Sequence, residues 1–137
     1  MRMNDRLTII QRGTTSILVA EKEPTARLSL SELLRDEGYR VVEAADSGSA
    51  ITQISHDQNI KVILSDLEMP SWTAIIRHAR ATMPDSFILG MVRYGALPNA
   101  LEAERLGAHA HLVKPLSFAE VNHWIQRFLT GRSQIKS

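Results

Sequence analysis

The chain has 137 residues, no cysteine, 16 Lys and Arg against 15 Asp and Glu, and 44% hydrophobic residues. That length fits one domain with a proper core. The missing cysteines exclude disulfides and thiolate metal sites, and the near balance of charge points to neither nucleic acid nor an anionic membrane.

"ILVA" is a short buried strand. Pro24 follows where a first helical turn tolerates it, because the N–H it lacks has no partner there anyway. "TARLSLSELLRDEG" is then a helix with Ala26, Leu30, Leu33 and Leu34 on its inward face and Gly38 as its stop. "YRVVEA" is the second strand, and "SGSAITQISHD" a helix with Ile51 and Ile54 inward. "KVILSD" is a continuous apolar run ending in an acid, as expected of a strand covered on both faces. "SWTAIIRHARATMP" is a helix with Ser71 at its N-cap and Pro84 beyond its end. "SFILGMV" is the fourth strand, and "PNALEAERLG" a helix opened by Pro98 and closed by Gly107. "AHLV" is the fifth strand. "SFAEVNHWIQRFLTG" is the last helix, with Ser117 and Glu120 in capping-box spacing and an expected end before Gly131.

No apolar run approaches the roughly 20 residues of a membrane span. Arg2, Arg6 and Arg12 surround an "LTII" too short for a secretory apolar region. The expected organisation is a flexible extension over 1–15, one domain over 16–130 and a tail over 131–137, in the cytoplasm. With only "GRSQIKS" after the last helix, a stand-alone module with no DNA-binding or enzymatic output domain is expected.

Strands alternating with helices imply a parallel sheet with helices on both faces. In such sheets ligands bind beyond the carboxyl ends of the strands, where strand order reverses. That rule gathers three stretches into one candidate pocket. Glu21, Lys22 and Glu23 leave the first strand, Asp66 the third, and Lys114, before Pro115, the fifth.

These stretches resemble the receiver domains of two-component response regulators, from Ile17 to Leu129. "ILVAEKEP" resembles the family's opening strand and acid pair. "VILSDLEMP" is similar to its phosphoacceptor strand, with "MP" after the acceptor, and "GAHAHLVKP" to its final strand and lysine. The resemblance implies the flavodoxin-like (βα)5 fold, an α/β doubly wound sheet of strand order 2-1-3-4-5. It implies that a phosphohistidine on a histidine kinase donates to Asp66, that Lys114 grips the phosphoryl oxygens, and that a magnesium ion offsets their charge. It also places the partner surface, for the kinase, another signalling protein or a second copy in a homodimer, on the fourth helix, fifth strand and fifth helix.

The departures are specific. Glu21 lengthens the first acid, and Lys22 replaces the second, the nominal metal ligand. The switch hydroxyl position falls on Val92, and the aromatic switch position on His111. The loop after Met69-Pro70 is shorter than usual and carries "SW" in place of Gly and Asp. The usual site, three carboxylates and one lysine, asks for a divalent cation. Here Glu21 and Asp66 face Lys22 and Lys114, with Glu68 as a further acid that could lean in. The expectation is that Lys22 stands in for the metal. Two unit charges at 4 Å attract by about 4 kcal/mol at an effective dielectric of 20, before desolvation. Any residual magnesium site would use Asp66, Glu21 and the Glu68 backbone, and would be weak. The competing reading turns Lys22 to solvent and gives Glu23 the ligand role.

Other residues have simpler readings. Asp66 could merely cap the next helix. His109 and His111 alternate, so they are expected on one face of the fifth strand. Trp124 flanks Phe118, Val121, Ile125 and Phe128, as a core-edge residue or a partner anchor, and Trp72 is expected over the shortened loop. Three functions therefore compete. The leading one is an atypical receiver that is not an enzyme and acts by protein contact, with phosphorylation weakened or lost. The second is a conventional phospho-accepting receiver. The third is an aspartyl-nucleophile phosphatase, which would want an aspartate where Glu68 stands.

Overall fold

A computed structural model describes residues 13–135. The described elements alternate: β1 (Ser16–Ala20), α1 (Pro24–Asp36), β2 (Arg40–Ala44), α2 (Ser47–His56), β3 (Ile60–Asp66), α3 (Trp72–Thr82), β4 (Phe87–Arg93), α4 (Leu97–Leu106), β5 (Ala110–Lys114) and α5 (Phe118–Ile135). Their strands form one parallel sheet of order β2-β1-β3-β4-β5. The α/β flavodoxin-like order expected above is the order found. Of the expected N-terminal extension, residues 1–12 lie outside the described residues. Thr15 already belongs to the fold, since its carbonyl accepts the Arg40 N–H at 3.2 Å.

The β1 and β3 strands carry apolar residues on both sides, as full coverage demands. Leu18 and Ile63 pack with α2, α3 and α4 through Ile54, Ile75, Ile76 and Ala100. Ile17, Val19, Val62 and Leu64 pack on the other face with Leu30 and Leu34 of α1 and with Val121 and Ile125 of α5. Strand order reverses between β1 and β3. There Ala20 pairs with Ser65, so the next residues, Glu21 and Asp66, leave the sheet side by side.

Several local expectations need correction. In α1 the buried residues are Leu30, Ser31 and Leu34, while Leu33 and Ala26 are exposed. The helix turns that flank toward a groove it shares with Pro115, Leu116 and Phe118 rather than toward the sheet. In α2 Ile54 is buried but Ile51 only half-buried, and Ala50 takes the inner place. Ser71 does sit at the N-cap of α3, but at φ 62 and without a side-chain capping bond. The short loop forces a non-glycine residue through the left-handed region there. The last helix runs through Gly131 to Ile135, because a helical glycine costs only about 1 kcal/mol relative to alanine and need not end a helix. Residues 136–137 of the expected tail lie outside the described residues.

His109 precedes β5 rather than lying in it, so strand alternation does not pair it with His111. Its ring packs on Phe87 at 4.8 Å between centroids, and its Nδ1 accepts the Ile88 N–H at 3.1 Å. His111 turns instead to α4, with Nδ1 at 2.8 Å from Glu104 Oε2. Trp124 is half-buried at the core edge, 6.2 Å from the Phe87 ring, with the Arg127 guanidinium 5.8 Å from its own. Trp72 is half-buried against the α2–α3–α4 core.

Candidate functional site

The strand ends bring three of the expected residues together: Glu21, Asp66 and Lys114. Lys114 Nζ lies 2.7 Å from Glu21 Oε1 and 3.4 Å from Asp66 Oδ1. Asp66 is fully buried and Glu21 nearly so, while the Lys114 side chain keeps 26% of its exposure. The lysine thus reaches in from the rim, and its ammonium bridges two buried carboxylates.

Each carboxylate has further anchors. Glu21 Oε2 accepts the Glu23 N–H at 3.0 Å, and the Glu21 carbonyl accepts Arg27 Nη1 at 2.8 Å. Asp66 Oδ1 accepts the Glu68 N–H at 3.0 Å, while Asp66 Oδ2 is buried without a hydrogen-bond partner among the described residues. Asp66 therefore does not cap α3, which starts six residues later behind Ser71. One ammonium serves two acids, and the proton equilibria follow from that. Burial pushes the Glu21 carboxyl up and the Asp66 carboxyl beside it adds to this, against the opposing Glu23 N–H and Lys114. For Lys114, burial works against the charged form, but Glu21 and Asp66 outweigh it, and its pKa goes up.

The other expected pocket residues are placed elsewhere. Lys22 is exposed and makes no ion pair with Glu21 or Asp66 among the described residues. Glu23 is the N-cap of α1, and its carboxylate accepts the N–H groups of Thr25 at 3.2 Å and Ala26 at 2.6 Å. Those bonds hold its pKa below the usual carboxylate range. A helix start has unpaired N–H donors that attract a carboxylate, and Pro24 begins the helix one residue after Glu23. Glu68 turns to the end of β4, its Oε1 3.0 Å from Arg93 Nε. Val92 is buried in the core with no hydroxyl to offer, and His111 is held by Glu104.

Sequence reasoning missed Arg93 and Asn99. Arg93 ends β4, the strand paired with β3, in register with Lys114, so a basic residue on the strand next to Asp66 was the available signal for where Glu68 would turn. Asn99 Nδ2 donates to the Leu67 carbonyl at 2.9 Å, tying the first turn of α4 to the residue after Asp66. Nothing in the spacing announced that bond.

Magnesium wants a near-octahedral set of oxygens. Of the carboxylates here, Glu21 and Asp66 are already bridged by an ammonium, Glu68 is paired with Arg93, and the second acid position is a lysine. Among the described residues no three His, Asp or Glu side chains gather closely enough to hold a metal ion. This donor set does not fit the divalent cation that the family would bind.

A buried aspartate at the end of β3, a lysine from the end of β5, and the switch point of a 2-1-3-4-5 sheet define a receiver-type signalling module. Residues 17–126 match the family model of the response regulator receiver domain, and the chain belongs to that family. It is 25% identical over 119 residues to sporulation initiation phosphotransferase F of Bacillus subtilis, covering 85% of this chain and 95% of that protein. It is 31% identical over 108 residues to the transcriptional regulatory protein PdtaR of Mycobacterium tuberculosis, covering 77% of this chain. The chain spans 52% of that relative's length, and 27% of the length of the transcriptional regulatory protein ZraR of Salmonella typhimurium, to which it is 29% identical. A response regulator receiver domain from Clostridium thermocellum superposes with TM-score 0.81 at 24% identity, covering 88% of this chain and 98% of that one. Receiver domains are signalling domains that work with histidine kinases and other signalling proteins. Among the described residues no helix is long and apolar enough to cross a membrane.

Proposed function

We propose that this receiver is an atypical one, which acts through protein–protein contact and whose magnesium-dependent phosphorylation at Asp66 is weakened or lost. One observation carries this reading: Asp66 is fully buried, and the ammonium that should attend it lies closer to Glu21. The exposed Lys22 adds positive charge at the position where the family places its second acid. Val92 offers no hydroxyl through which a phosphoryl group on Asp66 could pull on α4. The contact surface is the face of α4, β5 and α5, where Leu97, Leu101 and Val113 are exposed. Its occupant is a histidine kinase, another signalling protein or a second copy; the beryllofluoride-activated NtrC4 receiver, 27% identical with TM-score 0.76, is a dimer in solution.

The conventional phospho-accepting reading is the runner-up, because Lys114 remains within 3.4 Å of Asp66. The phosphatase reading loses its second acid, since Glu68 pairs with Arg93. Intact-mass measurement of phosphorylation by acetyl phosphate, with and without magnesium, separates these readings. The wild-type chain should take up little phosphate and respond little to the metal. Lys22→Asp changes the local charge by −2 and should gain magnesium-dependent labelling of Asp66. Wild-type labelling as fast and as magnesium-dependent as that of the variant would overturn the proposal.

A further inference from the structure

Glutamate is one methylene longer than aspartate, and at position 21 that reach has a consequence for Lys114. The Glu21 carboxylate is held by the Glu23 N–H on Oε2, and the Glu21 backbone by Arg27 on its carbonyl. Its free oxygen meets the ammonium at 2.7 Å, whereas Asp66 Oδ1 is left at 3.4 Å. Asp66 Oδ2, fully buried, has no hydrogen-bond partner among the described residues. Two carboxylates, each held by one backbone N–H, compete for one cation, and the longer one holds it closer.

We propose that Glu21 is a positioning residue that holds the Lys114 ammonium away from Asp66 and thereby limits how readily Asp66 accepts a phosphoryl group. The proposal deepens the reading of Asp66 as a restrained acceptor and rests on it. In the step concerned, an Asp66 oxygen attacks the phosphorus of an acyl phosphate. The bond from phosphorus to the acyl oxygen breaks, and the carboxylate leaves with that electron pair. The charge on the phosphoryl oxygens must be met as it is handed over. Lys114 can meet it only by leaving Glu21, and hydrogen bonds between charged groups are the strong ones. Glu21 thus occupies the group that the reaction needs.

Two variants test this by their sign. Glu21→Gln removes a carboxylate, so any effect through magnesium binding can only slow the reaction. Release of Lys114 must speed it. Phosphorylation by acetyl phosphate in the presence of magnesium, followed by intact mass, should be about tenfold faster than wild type, the equivalent of about 1.4 kcal/mol. The label should vanish when Asp66→Asn is added. Glu21→Asp keeps the charge but shortens the reach, and should also exceed the wild-type rate; it serves as the second arm should the glutamine variant fold poorly. The independent readout is a titration of the Lys114 Nζ resonance by NMR, whose midpoint should fall in Glu21→Gln. A rate at or below wild type in a folded variant, or an unmoved Lys114 midpoint, overturns the proposal. Fast, magnesium-dependent labelling of the wild-type chain would instead overturn the restrained-acceptor reading, and the ratio of variant to wild-type rates would still decide the role of Glu21.

Discussion

Lys114→Met is the most direct test of the bridged pair. The substitution keeps most of the side-chain length and removes the charge. At an effective dielectric of 20, a unit charge 2.7 Å from Glu21 and 3.4 Å from Asp66 is attracted by about 6 and about 5 kcal/mol before desolvation is subtracted. Desolvation cancels much of this, and removing one partner of a buried pair costs about 3–5 kcal/mol in measured cases. Lys114 keeps 26% of its exposure, so the lower end applies, about 3 kcal/mol. For a domain of this size that lowers Tm by roughly 10 °C.

The same variant should carry a pH signature. The Glu21 carboxyl is already raised in the fold by burial and by Asp66, and loss of the ammonium raises it further. A carboxyl with a raised folded pKa binds its proton more tightly folded than unfolded. Its penalty is therefore present above the folded pKa and is relieved as pH falls through it. Lys114 contributes no slope near neutrality, because its pKa moves up from an already high value and it stays charged in both states there. Urea midpoints at pH 5, 6, 7 and 8 should therefore show the deficit of Lys114→Met largest at pH 8 and smallest at pH 5. Adding Glu21→Gln should return part of the lost stability, since it removes one of the two stranded charges. A deficit below about 1 kcal/mol, or one that does not change with pH, would refute the bridged pair.

Gly107→Ala should cost about 2–3 kcal/mol in urea melts, because Gly107 has φ 121 and a Cβ there would stand 2.8 Å from Arg80 Cγ and Cδ. Arg80 donates to the carbonyls of Gly107, Pro84 and Ser86 at 3.0, 2.7 and 2.8 Å, so it cannot withdraw freely; a change within about 0.5 kcal/mol would show that it can. Asn99→Ala should cost about 1 kcal/mol and speed hydrogen exchange at the first amides of α4, since the Leu67 carbonyl loses its donor. Unchanged protection over Ala100–Ala103 would mean that the bond does not anchor the helix.

The order of the elements and the place of Asp66 at a strand's carboxyl end were legible because they depend on pattern along the chain. "VILSD" is apolar through Leu64 and buried through Ser65, and an acid at that place in a parallel strand emerges at the carboxyl edge whatever surrounds it. Lys114 was legible for the same reason. The division of labour among the remaining charges was not, because it depends on which way the chain turns after each strand. Position 22 was expected to place its ammonium in the pocket. The chain instead begins α1 at Pro24, which leaves Glu23 to cap the helix and turns Lys22 to solvent. Glu68 follows Asp66 closely in sequence, yet its carboxylate goes to Arg93, a residue distant in the chain that the sheet register brings near. The balance of charge expected at this site did include a lysine that neutralises Glu21 and Asp66. The structure assigns that task to Lys114, the lysine the family uses to grip the phosphoryl group. On the proposed reading, a receiver whose Lys114 already neutralises Glu21 and Asp66 would have less need of magnesium when unphosphorylated. With Asp66 as the proposed acceptor, Lys114 must leave Glu21 to reach a phosphoryl group there, so acceptor reactivity would depend on this 2.7 Å contact.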